Sequence, residues 1–192
     1  MPIETIFQAF PQIETDRLIL RQMQASDAEA LFRVLGDDEV TRYYDDATFT
    51  SVSQAEEQIA AWESGFIHKR SLRWGIFHKE AGMLIGSCGM YGIHPWHLRA
   101  SIGYELARPF WRQGLMTEAL SALLALGFNA MGLNRIDAVV MPENSASIKL
   151  LEKLGFCNEG LLRDYENWGS KGFTDLCMLS LLKKSWPQAK EF

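Results

Sequence analysis

No stretch of this sequence approaches the run of roughly 18 apolar residues that a membrane-spanning helix needs. The opening segment, Met1 to Phe10, has no cationic region leading into an apolar core. Both absences predict a cytoplasmic chain without a membrane partner. Cysteine is scarce: Cys88, Cys157 and Cys177 are odd in number and widely spaced, which excludes a disulfide framework and a CxxC metal clip. The four histidines, His68, His78, His94 and His97, lack HExxH or i, i+4 pairing, so no metal is expected. Positive charge is not in excess either. A formal net charge of -5 does not suggest the basic face that phosphate neutralisation requires, so nucleic acid is not an expected partner. Neither the Walker GxxxxGK[ST] loop nor the Rossmann GxGxxG occurs, which moves ATP and NAD down the order of candidate ligands.

What is present suits one soluble domain spanning 1–192. With 192 residues, 47% apolar and 22% charged, the chain can bury a full core without staples. Aliphatic residues over 13–23 read as a strand, and Ser26-Asp27 caps a helix carrying Ala28, Leu31, Phe32 and Leu35. Ile59, Trp62 and Phe66 recur at helical spacing within 53–69. Three strands, 72–78, 83–93 and 100–106, follow with short punctuation, as an antiparallel meander. A largely apolar helix over 115–131 leads to a strand at 134–141. Asn144 caps a helix over 145–154, Gly155 stands where a left-handed residue would end it, and strands at 156–166 and 173–182 close the domain.

The most informative segment runs from Ile102 to Leu126, a strand entering a helix through Ala107-Arg108-Pro109-Phe110-Trp111-Arg112-Gln113-Gly114. A helix N-terminus carries unpaired N–H groups and partial positive charge, so it binds phosphate, and Gly114 permits close approach of an anion. Arg108 and Arg112 add charge there. Taken alone, the same residues also suit a tight loop with solvated arginines.

The order of motifs resembles the GNAT superfamily of N-acetyltransferases, in its RimJ/RimL-like branch. Trp111, Gly114, Thr117, Glu118 and Ala119 match that branch's Trp-x-x-Gly-x-x-Thr-Glu-Ala pattern. Thr15-Asp16-Arg17-Leu18-Ile19-Leu20-Arg21 matches its opening, and Ile102-Gly103-Tyr104, Asn144 to Ser147, Lys153 to Phe156 and Gly160 to Arg163 match its later motifs. The likeness covers about residues 13–183. It departs from the wider family's Gln/Arg-x-x-Gly-x-Gly/Ala at Trp111 and Met116. The resemblance implies an α/β fold with a central mixed, mostly antiparallel twisted sheet of about seven strands, flanked by about four helices. In that fold the strands at 100–106 and 134–141 splay apart in a V. It implies acetyl-CoA as donor, its pyrophosphate on the backbone N–H groups of Gln113, Gly114, Met116 and Thr117, and its pantetheine on the backbone of Ile102, Tyr104 and Leu106. The acceptor would be a primary amine on a small molecule or a protein N-terminus, and a homodimer is compatible with it.

An alkylamine is mostly protonated near neutral pH, so attack on a thioester requires a base or a water chain. Glu105, on the strand beside the expected thioester, is the first candidate; alternation along the strand would equally place it in solvent or in an ion pair. Backbone N–H groups near Leu106 would stabilise the oxyanion. The family's usual acid, a tyrosine one turn after the Asn-x-x-Ser serine, is Leu151 here and cannot donate. Ser147 is the substitute; its plainer role is that of a small polar residue in a first helical turn. Asn144 divides between capping its helix and binding pantetheine. Tyr43, Tyr44, Asp45 and Asp46 form either an aromatic and acidic acceptor wall or a solvated loop. Cys88, in an apolar strand, reads as inert core rather than a nucleophile. With the tyrosine missing and two loop positions altered, a CoA-binding sensor on the same fold is the alternative to an enzyme.

Overall fold

The computed structural model describes residues 3–45 and 47–186. Asp46, one of the residues read as an acceptor wall, lies outside them. Eight strands form one sheet: β1 (Ile13–Glu14), β2 (Leu18–Gln22), β3 (Leu72–His78), β4 (Met83–His94), β5 (Arg99–Leu106), β6 (Arg135–Val140), β7 (Cys157–Asn167) and β8 (Phe173–Leu182). Five helices accompany them: α1 (Ala28–Leu35), α2 (Asp38–Thr41), α3 (Val52–Ile67), α4 (Leu115–Ala125) and α5 (Ser145–Lys153). The strand order is β1-β2-β3-β4-β5-β6-β8-β7. Every pairing is antiparallel except β5 with β6. No helix among the described residues is long and apolar enough to cross a membrane.

The meander forms as the punctuation predicts, while the strand read over 13–23 is broken. The chain turns at Thr15 to Arg17, so that β1 folds back on β2 with Ile13 opposite Leu20. Thr15 N–H donates to the Leu18 carbonyl at 3.0 Å, and the Thr15 hydroxyl is drawn to Glu118. A distant partner thus interrupts a run that is aliphatic enough to continue. The helix read over 115–131 ends as a regular α-helix at Ala125 and continues as a π turn over Leu126–Ala130.

Strand alternation sends side chains to two cores. On one face Leu72, Trp74, Ile76, Ile85, Ala100 and Ile102 pack against Leu115, Leu120, Leu123 and Leu124 of α4 and Leu151 of α5. Burying each of these large side chains contributes about 1.5–3 kcal/mol. On the other face Met23 and Leu84 pack against Leu31, Val34 and Leu35 of α1 and Ala55 and Ile59 of α3.

The pairing of β5 with β6 extends only through Arg99–Arg135, Ala100–Ile136 and Ser101–Asp137. Beyond Ser101 the two strands have no paired residues, although both continue. Ala107 N–H donates to the Ile85 carbonyl, so odd-numbered residues of β5 direct their backbone groups to β4. By alternation Ile102, Tyr104 and Leu106 direct theirs into the opening beside β6.

Candidate active site

The opening continues into a single cleft of about 1260 Å³. Met116, Thr117 and Ser147 line it from the α4 and α5 face, and Tyr44, Trp62 and Arg73 from the α1 and α3 face. The cleft therefore crosses the sheet at the splay, where Ile102 to Leu106 form its edge.

At the α4 end the backbone makes a tight turn into the helix. Arg112 and Gly114 are both left-handed, with φ of 60° and 77°. Such a conformation costs a non-glycine residue roughly 1–2 kcal/mol and marks a constrained functional turn. No side chain caps α4 at Gly114, so its first-turn N–H groups stay available where Gly114, Leu115, Met116 and Thr117 line the cleft. Arg112, Lys149 and Lys153 line the same cleft. The two lysines lie one turn apart on α5; in the sequence Lys153 was read only as part of a family motif and Lys149 not at all, although their i, i+4 spacing was the available signal.

Arg108 is placed differently from expectation, and Gln113 has partners for its side chain and carbonyl that the sequence did not show. Arg108 Nε donates to Asp37 Oδ2 at 2.7 Å, tying the loop to the start of α2, and Arg108 is not among the cleft residues. Its charge is committed to a carboxylate 71 positions away, a partner that no local pattern reveals. The Gln113 side chain donates to the Pro109 carbonyl at 2.8 Å, and its own carbonyl accepts from Arg17 Nη1 at 2.9 Å. Trp111 Nε1 donates to the Leu106 carbonyl at 2.5 Å, fastening the loop to the last residue of β5.

At the middle of the cleft, Tyr104 of β5 and Ser147 of α5 are joined by a hydrogen bond of 2.6 Å between their hydroxyls. Burial pushes the Tyr104 phenol up to about 12 against the opposing pull of Ser147. It stays a proton carrier throughout the neutral range. Asn144 caps α5 by accepting from Ser147 N–H at 3.1 Å. Leu151 is fully buried in the core, so nothing at the family's usual tyrosine position faces the cleft as a donor.

On the other face Glu105 is buried, and its carboxylate is held by three donors: Arg73 Nη2, Ser87 Oγ and the Tyr44 hydroxyl, the last at 3.1 Å. Of the alternatives left open by alternation, the ion pair is the arrangement found. Burial works against the Arg73 charge, but Glu105 outweighs it and holds the guanidinium protonated. Burial, followed by the nearby Glu105 charge, drives the Tyr44 hydroxyl far above the ordinary tyrosine range. Arg73 also lies under the Trp62 ring, 5.0 Å from its centre. Burial likewise pushes the Cys88 thiol up to about 12, so this cysteine is not a nucleophile at neutral pH.

Tyr43, Tyr44 and Asp45 line the cleft, joined by Tyr91, Glu166 and Trp168. Lys171 spans it: Nζ donates to the carbonyls of Arg42 at 3.1 Å and Tyr44 at 2.5 Å. One ammonium so links the β7–β8 turn to the segment after α2.

Comparison with known proteins agrees with this architecture. The family model described as an acetyltransferase (GNAT) domain matches residues 17–157. The chain is 46% identical over 156 residues to the uncharacterized N-acetyltransferase YoaA of Bacillus subtilis (strain 168), covering 81% of this chain and 88% of that one. It is 27% identical over 162 residues to the [ribosomal protein uS5]-alanine N-acetyltransferase of Escherichia coli (strain K12), covering 80% and 82%. Among solved structures, Mycobacterium smegmatis RimJ in complex with CoA-disulfide superposes with a TM-score of 0.80 at 26% identity, covering 90% of this chain and 85% of that one. With a cleft that crosses the sheet at an open strand edge and a family match over most of its length, the chain belongs to the GNAT acetyltransferases and is an acyltransferase enzyme.

Proposed function

We propose that this enzyme takes an acetyl group from acetyl-CoA, bound from the α4 and α5 face, and passes it to a primary amine entering from the α1 and α3 face. One observation carries the reading: a single cleft, lined by the first turn of α4 with Arg112 and two lysines of α5 and by aromatic and acidic residues on the other face, runs along the unpaired edge of β5.

The residues present fit the donor. Gln113, Gly114, Met116 and Thr117 would direct backbone N–H groups at the pyrophosphate, with Arg112 beside them. Ile102, Tyr104 and Leu106 would pair with pantetheine as a strand edge pairs with a strand. Asn144, having used its oxygen as a cap, would offer its amide N–H₂. When bound, acetyl-CoA supplies an activated thioester carbonyl.

The chain's own groups then manage charge and protons. Leu106 N–H, directed into the opening, donates to the carbonyl oxygen as negative charge develops there. Glu105, paired with Arg73, draws the acceptor's ammonium and accepts its proton. Ser147 donates to the departing sulfur and is resupplied by Tyr104, to which it is already bonded; Tyr104 regains a proton through solvent as the nitrogen sheds its second proton on becoming an amide. Acceptors of two kinds suit the chamber, small-molecule amines and protein N-termini. The relative that acts on ribosomal protein uS5 favours inclusion of peptides.

A screen for free CoA release against peptides and small amines tests the reading. Amine-dependent release is expected. A protein whose melting temperature is unmoved by CoA, and which releases none with any amine, would refute it.

A further inference from the structure

Thr15-Asp16-Arg17 stands at the turn between β1 and β2, some hundred positions from the α4 loop, and the transfer as described makes no use of it. Its groups nevertheless converge on that loop. Arg17 Nε donates to Glu118 Oε2 at 2.7 Å, and Arg17 backbone N–H to Glu118 Oε1 at 2.9 Å. The Thr15 hydroxyl donates to the same Oε1 at 2.6 Å. Arg17 Nη1 reaches further and donates to the Gln113 carbonyl at 2.9 Å. A Cβ on Gly114 would lie 3.6 Å from Arg17 Nη2, so the guanidinium runs alongside the loop.

We propose that Thr15 and Arg17 are positioning residues for the donor: they clamp Glu118 and the Gln113 carbonyl, and so fix the N–H groups of the α4 loop toward the donor's phosphates. This rests on the reading of that loop as the pyrophosphate seat. Two physical arguments support it. The peptide between Gln113 and Gly114 is planar and trans, so its C=O and N–H point in opposite directions. With the carbonyl held at Arg17, the Gly114 N–H is turned the other way, and Gly114 lines the cleft. The second argument is electrostatic. Glu118 lies in the first turn of α4, where an uncompensated carboxylate would repel an incoming phosphate. Arg17 supplies the compensating charge.

The test compares two donors in the intact enzyme, using an amine identified by the turnover screen. Acetyl-CoA carries phosphates; S-acetylpantetheine carries none. Arg17→Ala is expected to raise KM for acetyl-CoA about tenfold, as loss of charge-assisted hydrogen bonds does, with kcat within about twofold. The kcat/KM for S-acetylpantetheine should stay unchanged, and Arg17→Lys should recover part of the loss. Thr15→Ala should show the same donor dependence in milder form. Equal losses with both donors would mean general damage and overturn the proposal, as would no loss with either. Calorimetry of wild-type protein with CoA separates the two levels. Failure to bind CoA overturns the pyrophosphate reading and this inference together. Binding that Arg17→Ala leaves unchanged overturns the inference alone.

Discussion

The hydroxyl of Tyr104 on β5 lies 2.6 Å from Ser147 Oγ in the first turn of α5, bringing a phenol into the cleft from a strand while α5 buries Leu151. If this pair carries the proton to the leaving sulfur, Ser147→Ala and Tyr104→Phe should each lower kcat by about 10²-fold. KM for acetyl-CoA should remain close to wild type. Steady-state kinetics with the amine from the turnover screen checks the split, and unchanged kcat in both variants would remove the pair from the mechanism.

Alkaline stability follows from the same phenol and from Cys88. Each is neutral in the fold, with its proton held up to about 12 by burial, against ordinary values of 10.0 and 9.0. Between the ordinary and the folded value the unfolded chain has lost a proton that the folded chain keeps, so stability present below pH 9 declines as pH rises toward 12. Over the whole interval Tyr104 contributes about 3 kcal/mol and Cys88 about 4 kcal/mol to that decline. Urea unfolding at pH 8 to 11 should show a falling midpoint, and Cys88→Ala with Tyr104→Phe should make the fall shallower, leaving the part that Tyr44 and Tyr91 contribute.

Gly114 is left-handed, and the space around its missing Cβ is open apart from Arg17 at 3.6 Å. Substitution is therefore penalised by conformation, not by crowding. Gly114→Val should leave the protein folded while abolishing the rise in melting temperature with CoA. At a hundredfold excess over Kd that rise corresponds to about 2.7 kcal/mol in the wild type. Thermal unfolding with and without CoA makes the comparison.

Arg73 and Glu105 form an ion pair with side chains only 9% and 2% exposed. Arg73→Met leaves a buried carboxylate without compensation and should cost about 3–5 kcal/mol, with part of it recovered in Arg73→Met/Glu105→Gln. Chemical denaturation measures both. In turnover, Glu105→Gln should lower kcat by about 10²-fold if the carboxylate accepts the amine's proton.

Local signals were legible, and partners across the sheet were not. Asn144 could be read as a cap and Gly155 as a left-handed stop, and both hold: Asn144 accepts from Ser147 N–H, and Gly155 has a φ of 92°. The strand, loop and helix at Ile102 to Leu126 were equally readable, because their pattern is contiguous. Arg73 gave no signal, since its tie to Glu105 depends on the register of three strands. Arg108 looked like a phosphate ligand because Asp37, its partner, belongs to another element. The break at Thr15 to Arg17 was hidden for the same reason: the pull comes from Glu118.

The bond from Trp111 Nε1 to the Leu106 carbonyl has a further consequence at the end of β5. A strand edge ordinarily offers donors and acceptors in alternation, and a ligand lying along it can answer with either. Here the last acceptor is already spoken for by the indole, while the N–H of the same residue remains turned to the opening. The final rung is thus a rectifier. With one of the carbonyl's two lone pairs taken by the indole and the N–H left open, that rung favours a lone pair over a proton.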